Sequence, residues 1–161
     1  AVSVYLMGTT KYIGLGVPTI IDAFNIDLNS YDFFLKILLT SFTLGAGFKG
    51  GEVTPLFFIG ATLGNVLIWF IPLPMPLLAG MGFVAVFAGA TNTPIACTIM
   101  GIELFGIESG VFIALACTTS YLFSGYTGIY TAQIIGSPKY LFFKKEKGLK
   151  LTDIKQYPKK K

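Results

Sequence analysis

The sequence predicts an all-α integral membrane protein whose helices are short, broken and in part re-entrant. Hydrophobic residues make up 53% of the 161 residues and charged residues only 12%, with a mean hydropathy of +0.71. Soluble domains, by contrast, carry about 25% charged residues. Between residues 50 and 138 the charged side chains are Glu52, Glu103 and Glu108 alone. So little polar cover excludes a water-soluble fold for this stretch.

Six apolar segments are separated by polar, glycine or proline residues: 10–24, 33–48, 53–71, 77–90, 95–105 and 111–123. A helix needs about 20 residues to cross about 30 Å of hydrocarbon. Only the segment 53–71, which ends at the proline-rich stretch 72–76, has nearly that length. The shorter segments are typical of half-helices that meet near the middle of a bilayer, as in transporters. In the long segment, Gly60 and Gly64 favour close helix packing over a direct functional role.

The charge distribution divides the chain into a membrane domain, residues 1–138, and a basic tail, residues 139–161. The tail carries nine lysines against two acids, Glu146 and Asp153. A basic segment after the last apolar run predicts a cytoplasmic C-terminus by the positive-inside rule. Binding of nucleic acid or another polyanion is the weaker alternative, because a tail that is basic for topology needs no such partner. We therefore expect a multi-pass protein of the cell membrane with the lipid bilayer as its surroundings.

The composition argues against an enzyme, a metal site or another cofactor. The chain has no histidine, which removes the commonest general base and metal ligand. Cys97 and Cys117 lie far apart inside apolar runs, so we interpret them as small buried residues rather than as a disulfide. An intramembrane hydrolase could use Ser120 or Ser124 as its nucleophile, but no neighbouring residue supplies a base.

A glycine-rich turn precedes the longest apolar segment. Four glycines fall within residues 45–51, and Pro55 then occupies a position that the first turn of a helix accepts. The free N–H groups of such a helix start, supported by the helix dipole, can hold a small anion. Glu52 lies beside these amides. It either complements the helix dipole or exchanges protons next to the anion, and the residues alone leave both interpretations open.

Three ordered motifs resemble the CLC family of chloride channels and anion/proton antiporters. Residues 51–55, with the following 56–64, are similar to its anion-binding motif and the helix after it. Residues 79–104 are similar to its alanine- and glycine-rich helix, threonine-proline turn and glutamate-containing helix, and 125–133 to the segment with the pore tyrosine. The resemblance covers most of residues 10–136. It implies the second half of the inverted-repeat fold, the function of a voltage-gated chloride channel or antiporter, and a homodimer.

The resemblance also implies a role for each matched residue. Gly51, Glu52, Val53 and Thr54 would line the anion site, with the amides of Glu52 and Val53 holding the ion. Tyr130 would donate its hydroxyl from the intracellular side, and Tyr140 is the competing candidate. Both kinds of donor are neutral, so a bound anion can leave again.

The identity of two residues points to one branch of that family. Chloride-transporting members usually carry apolar residues where this chain has Glu52 and Val53. The stretch 50–55 instead resembles the fluoride-exporting branch, in which Glu52 would couple protons and Thr54 would provide a hydroxyl ligand. The implied function is export of a halide, preferably fluoride, in exchange for protons. Chloride passage by the same fold is the alternative.

The resemblance is to only one of the two halves of a CLC protomer. The first-half repeat, with its gating glutamate, has no counterpart in residues 1–161. Glu103 lies in a helix that family members use at the dimer interface, and Glu108 is expected to open the next helix as its cap. We therefore expect a fragment, split product or truncated gene that needs the missing repeat for transport. A purely structural, non-transporting subunit is the remaining alternative.

Overall fold

In the computed structural model, the described residues are 8–48, 50–126, 128–130, 132–136, 139 and 148–151. The described part is helical, with a single isolated β-bridge between Ile134 and Lys150. Two short 3-10 helices, Leu67–Trp69 and Ile107–Ser109, connect longer elements. The α-helices are α1 Val17–Asp22, α2 Asp32–Gly45, α3 Val53–Val66, α4 Met75–Thr91, α5 Pro94–Phe105 and α6 Gly110–Phe123. Each of the six apolar segments overlaps one of them, with helix ends that differ from the segment ends by a few residues at several places.

Proline and asparagine set the boundaries in the middle of the chain. Pro76 and Pro94 lie in the first turns of α4 and α5, where a missing N–H is tolerated. Between these helices, Asn92 has a left-handed backbone with φ of 57°. Asparagine accepts this conformation more readily than most residues and ends helices for that reason. The predicted break at residues 91–94 is therefore confirmed.

The longest apolar segment does not form a single helix. The helix α3 ends at Val66, and a 3-10 turn, Leu67–Trp69, replaces its continuation, so the expectation of one helix over 53–71 is wrong. Ile71 precedes Pro72, and the α conformation is disfavoured at the position before a proline, which favours a helix end before Ile71. Across the described ranges, no helix has both the length and the hydropathy needed to cross a membrane.

Glycines bring α3 and α4 into backbone contact. A Cβ atom at Gly60 would overlap the backbone of Gly82, and one at Gly64 would overlap the backbone of Leu78. Only glycine fits at such distances, as in small-residue helix interfaces. Alongside this contact, the rings of Phe57 and Phe83 stack with their centroids 4.1 Å apart. The packing interpretation of the Gly60 and Gly64 pair is confirmed.

The central helix α4 contacts α3 on one side and α5 and α6 on the other. The core on the second side consists of Val84, Ala88, Cys97, Ile113 and Cys117. Both cysteines are buried and free, as the sequence predicts.

At the end of α6, the Lys139 ammonium donates hydrogen bonds to the Tyr121 carbonyl (2.7 Å), the Ser124 hydroxyl (3.0 Å) and the Gly125 carbonyl. Burial lowers the pKa of Lys139 to about 8. Most of the basic tail lies outside the described residues.

Candidate anion site at the start of helix α3

The chain reaches α3 through the predicted glycine-rich turn. Gly47 has a left-handed backbone with φ of 83°, which glycine adopts without strain. Gly50 and Gly51 are exposed and non-helical, and a Cβ atom at either position would meet nothing within 4 Å. Backbone, rather than side chains, therefore forms the surface in front of α3.

The first amides of α3 are available to a ligand. The first helical hydrogen bond here runs from the Leu56 amide to the Glu52 carbonyl at 3.3 Å. Within the described ranges, the amides of residues 51–54 have no hydrogen-bond acceptor. Pro55 carries no N–H, so these four groups are the donors that the helix start presents. Such an arrangement suits a small anion, because the helix dipole adds partial positive charge at the same end.

Glu52 is the residue that immediately precedes α3. Its side chain is partly exposed and forms no capping hydrogen bond to the helix. A carboxylate that caps a helix start would accept a hydrogen bond from the second or third amide. The carboxylate is therefore not committed to those donors, although it still complements the helix dipole.

The Thr54 hydroxyl differs from that of Thr62 in the same helix. Thr62 lies in the helix body and donates to the Phe58 carbonyl at 2.8 Å. For Thr54, the residue four positions earlier is Gly50, which lies outside the helix. Accordingly, the hydroxyl of Thr54 finds no partner in the described part of the chain. It remains available at the open end of α3.

Tyr130 is anchored through its neighbours in the chain rather than through its own side chain. The Ile129 amide donates to the Ala90 carbonyl at 2.9 Å, which fixes this segment to the end of α4. A Cβ atom at Gly128 would lie 2.7 Å from Nδ2 of Asn92, so a side chain at this position would disturb the packing of the segment against the end of α4. The Tyr130 side chain is 50% exposed. Among described residues, no hydrogen bond joins it to the segment 51–54, and Tyr140 lies outside the described residues.

Two further acidic residues, Glu103 and Glu108, lie on the surface. Glu103 on α5 and Glu108 in the 3-10 turn are both exposed. Glu108 makes no capping hydrogen bond, and Ser109 rather than Glu108 immediately precedes α6, so the expectation that Glu108 caps this helix is wrong. The described ranges contain no cluster of acidic, cysteine or histidine side chains that could hold a metal ion.

A buried ionic cluster lies beside α3 and was not predicted from the sequence. Asp32 and Lys36, one turn apart on α2, are 0% and 2% exposed. Asp32 contacts Lys11 and Tyr12, and Lys36 lies over the Phe58 ring. The available signal was an acid and a base four residues apart at the start of an apolar segment, a spacing that places both on one helix face.

A sequence profile of the voltage-gated chloride channel family matches residues 1–125, which is most of the chain. The chain belongs to this family. Membership agrees with the predicted resemblance and places the chain among membrane proteins. Its all-helical, broken architecture is that of the CLC transporter fold, which confirms the predicted fold class.

Individual relatives are consistent with the family assignment. The chain is 51% identical to a chloride/fluoride channel protein of Pseudomonas syringae pv. tomato, over 98% of this chain and 36% of the relative. It is 34% identical to an uncharacterized protein of Methanocaldococcus jannaschii, over 53% of this chain and 22% of that protein. A crystal structure of a CLC-type fluoride/proton antiporter superimposes with a TM-score of 0.74 at 41% identity. That match covers 79% of this chain and 32% of the antiporter.

The chain spans about a third of the length of the Pseudomonas syringae protein. The named relatives are a channel and an antiporter rather than enzymes. The family match thus concerns one part of a larger protein fold.

Proposed function

We propose that this chain forms the anion-binding half of a halide/proton antiporter that prefers fluoride. The observation that carries the proposal is the open start of α3, where the amides of residues 51–54 lack acceptors and Glu52 lies beside them. The two relatives described as a chloride/fluoride channel and a fluoride/proton antiporter support the choice of ions. No catalytic or cofactor chemistry is part of the proposal.

Neutral donors suit an ion that has to be released again. Peptide N–H groups and the Thr54 hydroxyl replace part of the water around an anion without placing a full positive charge in contact with it. Fluoride is small and strongly hydrated, so it requires more hydrogen-bond donors than chloride. The free hydroxyl of Thr54 adds such a donor to the amides. Tyr130, whose hydroxyl is also free among the described residues, would donate from the intracellular side.

Glu52 would carry the coupled proton. Its carboxylate is next to the donor amides and makes no capping bond, so protonation would not cost the fold an internal hydrogen bond. A carboxylate within a membrane domain is expensive and marks a functional position by default. Because the charge of Glu52 and that of the anion repel each other, protonation would favour anion entry. This linkage would couple occupancy of the anion site to the protonation state of Glu52.

The complete site would require a second repeat. Gly50 and Gly51 are exposed, so the donor groups face outward from the described part of the chain. A first-half repeat packed against this face, in the same or another polypeptide, would enclose the anion. We further propose a homodimer of such protomers in the cell membrane, each crossing it several times, with the C-terminus in the cytoplasm. Without the first-half repeat, the chain would be a non-transporting fragment.

The second candidate function is passage of chloride, through a channel or in exchange for protons. This candidate is supported by the relative that is described as a chloride/fluoride channel protein. The two functions use the same amides and differ in ion size and in the need for Glu52.

A flux assay separates these functions. The chain, assembled with the complementary repeat, is reconstituted in liposomes that contain either fluoride or chloride, and ion-selective electrodes and an internal pH dye follow both species. Fluoride efflux accompanied by proton uptake, with slower chloride efflux, is expected. Equal rates for both halides without proton movement would favour the chloride channel, and no flux of either halide would contradict a transport function.

A further inference from the structure

The buried cluster beside α3 contains a neutral ion pair and an additional cation. Asp32 accepts a hydrogen bond from the Tyr12 hydroxyl at 2.5 Å and pairs with the Lys11 ammonium. Lys11 and Asp32 compensate each other's charge. Lys36 is a second cation in the same cluster, and within the described ranges it forms no salt bridge. With all three side chains ionised, Lys11, Asp32 and Lys36 together carry a net charge of +1.

The Lys36 ammonium is held by neutral groups. It donates to the Tyr12 carbonyl at 3.1 Å and to the Gly14 carbonyl at 2.8 Å. It also lies 4.9 Å from the centroid of the Phe58 ring, at a distance typical of cation–π contacts. A buried cation without a salt-bridge partner is costly. An anion bound nearby would offset part of that cost.

The contact with Phe58 fixes Lys36 relative to the open end of α3. Phe58 is five residues after Val53, which corresponds to about 7.5 Å along the helix axis. Side chains of an α-helix point back toward its N-terminus, so the ring lies closer to that end than its own Cα atom does. Gly16 limits movement of the ring, since a Cβ atom there would be 2.6 Å from Cδ2 of Phe58. The ammonium thus lies on the order of 10 Å from the donor amides.

We propose that Lys36 is an electrostatic determinant of anion affinity that acts without touching the ion. Its buried charge raises the potential at the amides of residues 51–54 and adds to the helix dipole. At about 10 Å and an effective dielectric constant of about 20, one charge changes the affinity for a monovalent anion by roughly tenfold. Salt screens such a buried charge less than a surface lysine. This inference rests on the proposed function, because it requires an anion at the start of α3.

Two substitutions separate the charge of Lys36 from its hydrogen bonds. Lys36→Gln removes the charge but keeps an amide donor for the carbonyls of Tyr12 and Gly14. Lys36→Arg keeps the charge and the donors. Fluoride binding to the purified transporter, assembled with the complementary repeat, is measured by isothermal titration calorimetry. The glutamine variant is expected to raise Kd about tenfold, and the arginine variant is expected to stay within about threefold of wild type.

A third substitution is expected to change the fluoride Kd in the opposite direction. Asp32→Asn removes the negative charge, keeps an acceptor for the Tyr12 hydroxyl and raises the net charge of the cluster. It should tighten fluoride binding by about fivefold, since Asp32 is one helical turn from Lys36 and hence about 15 Å from the donor amides. Weaker binding by a folded Asp32→Asn protein would overturn the proposal. This test also applies if the Lys36→Gln protein does not fold.

A matched control removes a lysine elsewhere. Lys139→Gln takes away a positive charge at the end of α6 and should leave Kd unchanged. A folded Lys36→Gln protein with the wild-type Kd, or a Lys36→Arg protein as weak as Lys36→Gln, would refute the electrostatic role of Lys36 alone. If the wild-type protein binds neither fluoride nor chloride, the proposed function fails and this inference fails with it.

Discussion

The two ends of helix α3 differ in almost every physical property. From Phe58 to Asn65 the helix is largely buried, and its glycines contact the backbone of α4. Asn65 donates hydrogen bonds to the carbonyls of Ala23 and Ile26, which fixes the preceding loop to the helix. The first turn, by contrast, is only partly buried, and its amides lack acceptors in the described part of the chain.

This difference separates stability from binding. The body of α3 contributes packing and hydrogen bonds, while its first turn leaves donors unused that a stable isolated helix would cap. A rigid body holds the amides of the open end in a fixed direction, so a ligand finds them already oriented. Substitutions in the body of α3 should therefore affect folding stability, and substitutions at its open end should affect ion binding and transport.

The largest expected effect is on proton coupling, at the open end. Glu52→Gln removes the titratable group but keeps its size, so fluoride-driven proton uptake in the liposome assay should fall at least tenfold. Thermal stability should not change, because the carboxylate forms no capping bond. Glu108→Gln is the matched control, since it neutralises an exposed acid outside the site. Coupled flux at the wild-type rate would show that Glu52 does not carry the proton.

A substitution in the body should have the next largest effect. Gly64→Ala places a Cβ atom against the backbone of Leu78 and should cost about 2–3 kcal/mol of stability. Gly45→Ala is the matched control at the end of α2, where a Cβ atom meets nothing within 4 Å. The higher helix propensity of alanine favours both changes equally. Thermal unfolding, followed by size-exclusion chromatography in detergent, should show that Gly64→Ala is less stable than Gly45→Ala. Equal stability of the two variants would argue against the close contact of α3 and α4.

The smallest effect is expected at Tyr130. Tyr130→Phe removes one hydroxyl donor to a charged ligand and should raise the fluoride Kd about tenfold or less, without loss of stability. Tyr31→Phe, at an exposed position before α2, serves as the control. Calorimetric titration checks both. An unchanged Kd for Tyr130→Phe would leave Tyr140 as the candidate, or no tyrosine at all.

Much of the fold followed from local sequence features. The missing charge, the short apolar runs and the prolines predicted the membrane class and the order of the helices. The glycine-rich stretch predicted a helix that starts with free amides, and the structure has that start at Val53. Helix starts, helix breaks and apolar runs depend on residues that are adjacent in the sequence, which is why the sequence pattern alone reveals them. The end of α3 at Val66 was missed because the tightening of a last turn involves small energies that hydropathy does not reflect.

Alone, the sequence determined the class of protein, the helix order and the chemical nature of the donor groups, because these follow from composition and local backbone preference. Tertiary structure decided which polar groups are buried together. Lys36 meets the carbonyls of Tyr12 and Gly14, 24 and 22 residues away, and the ring of Phe58 on another helix. Burial of a charge depends on such distant partners, and only their packing reveals whether a lysine in an apolar segment faces its surroundings or the inside of the protein.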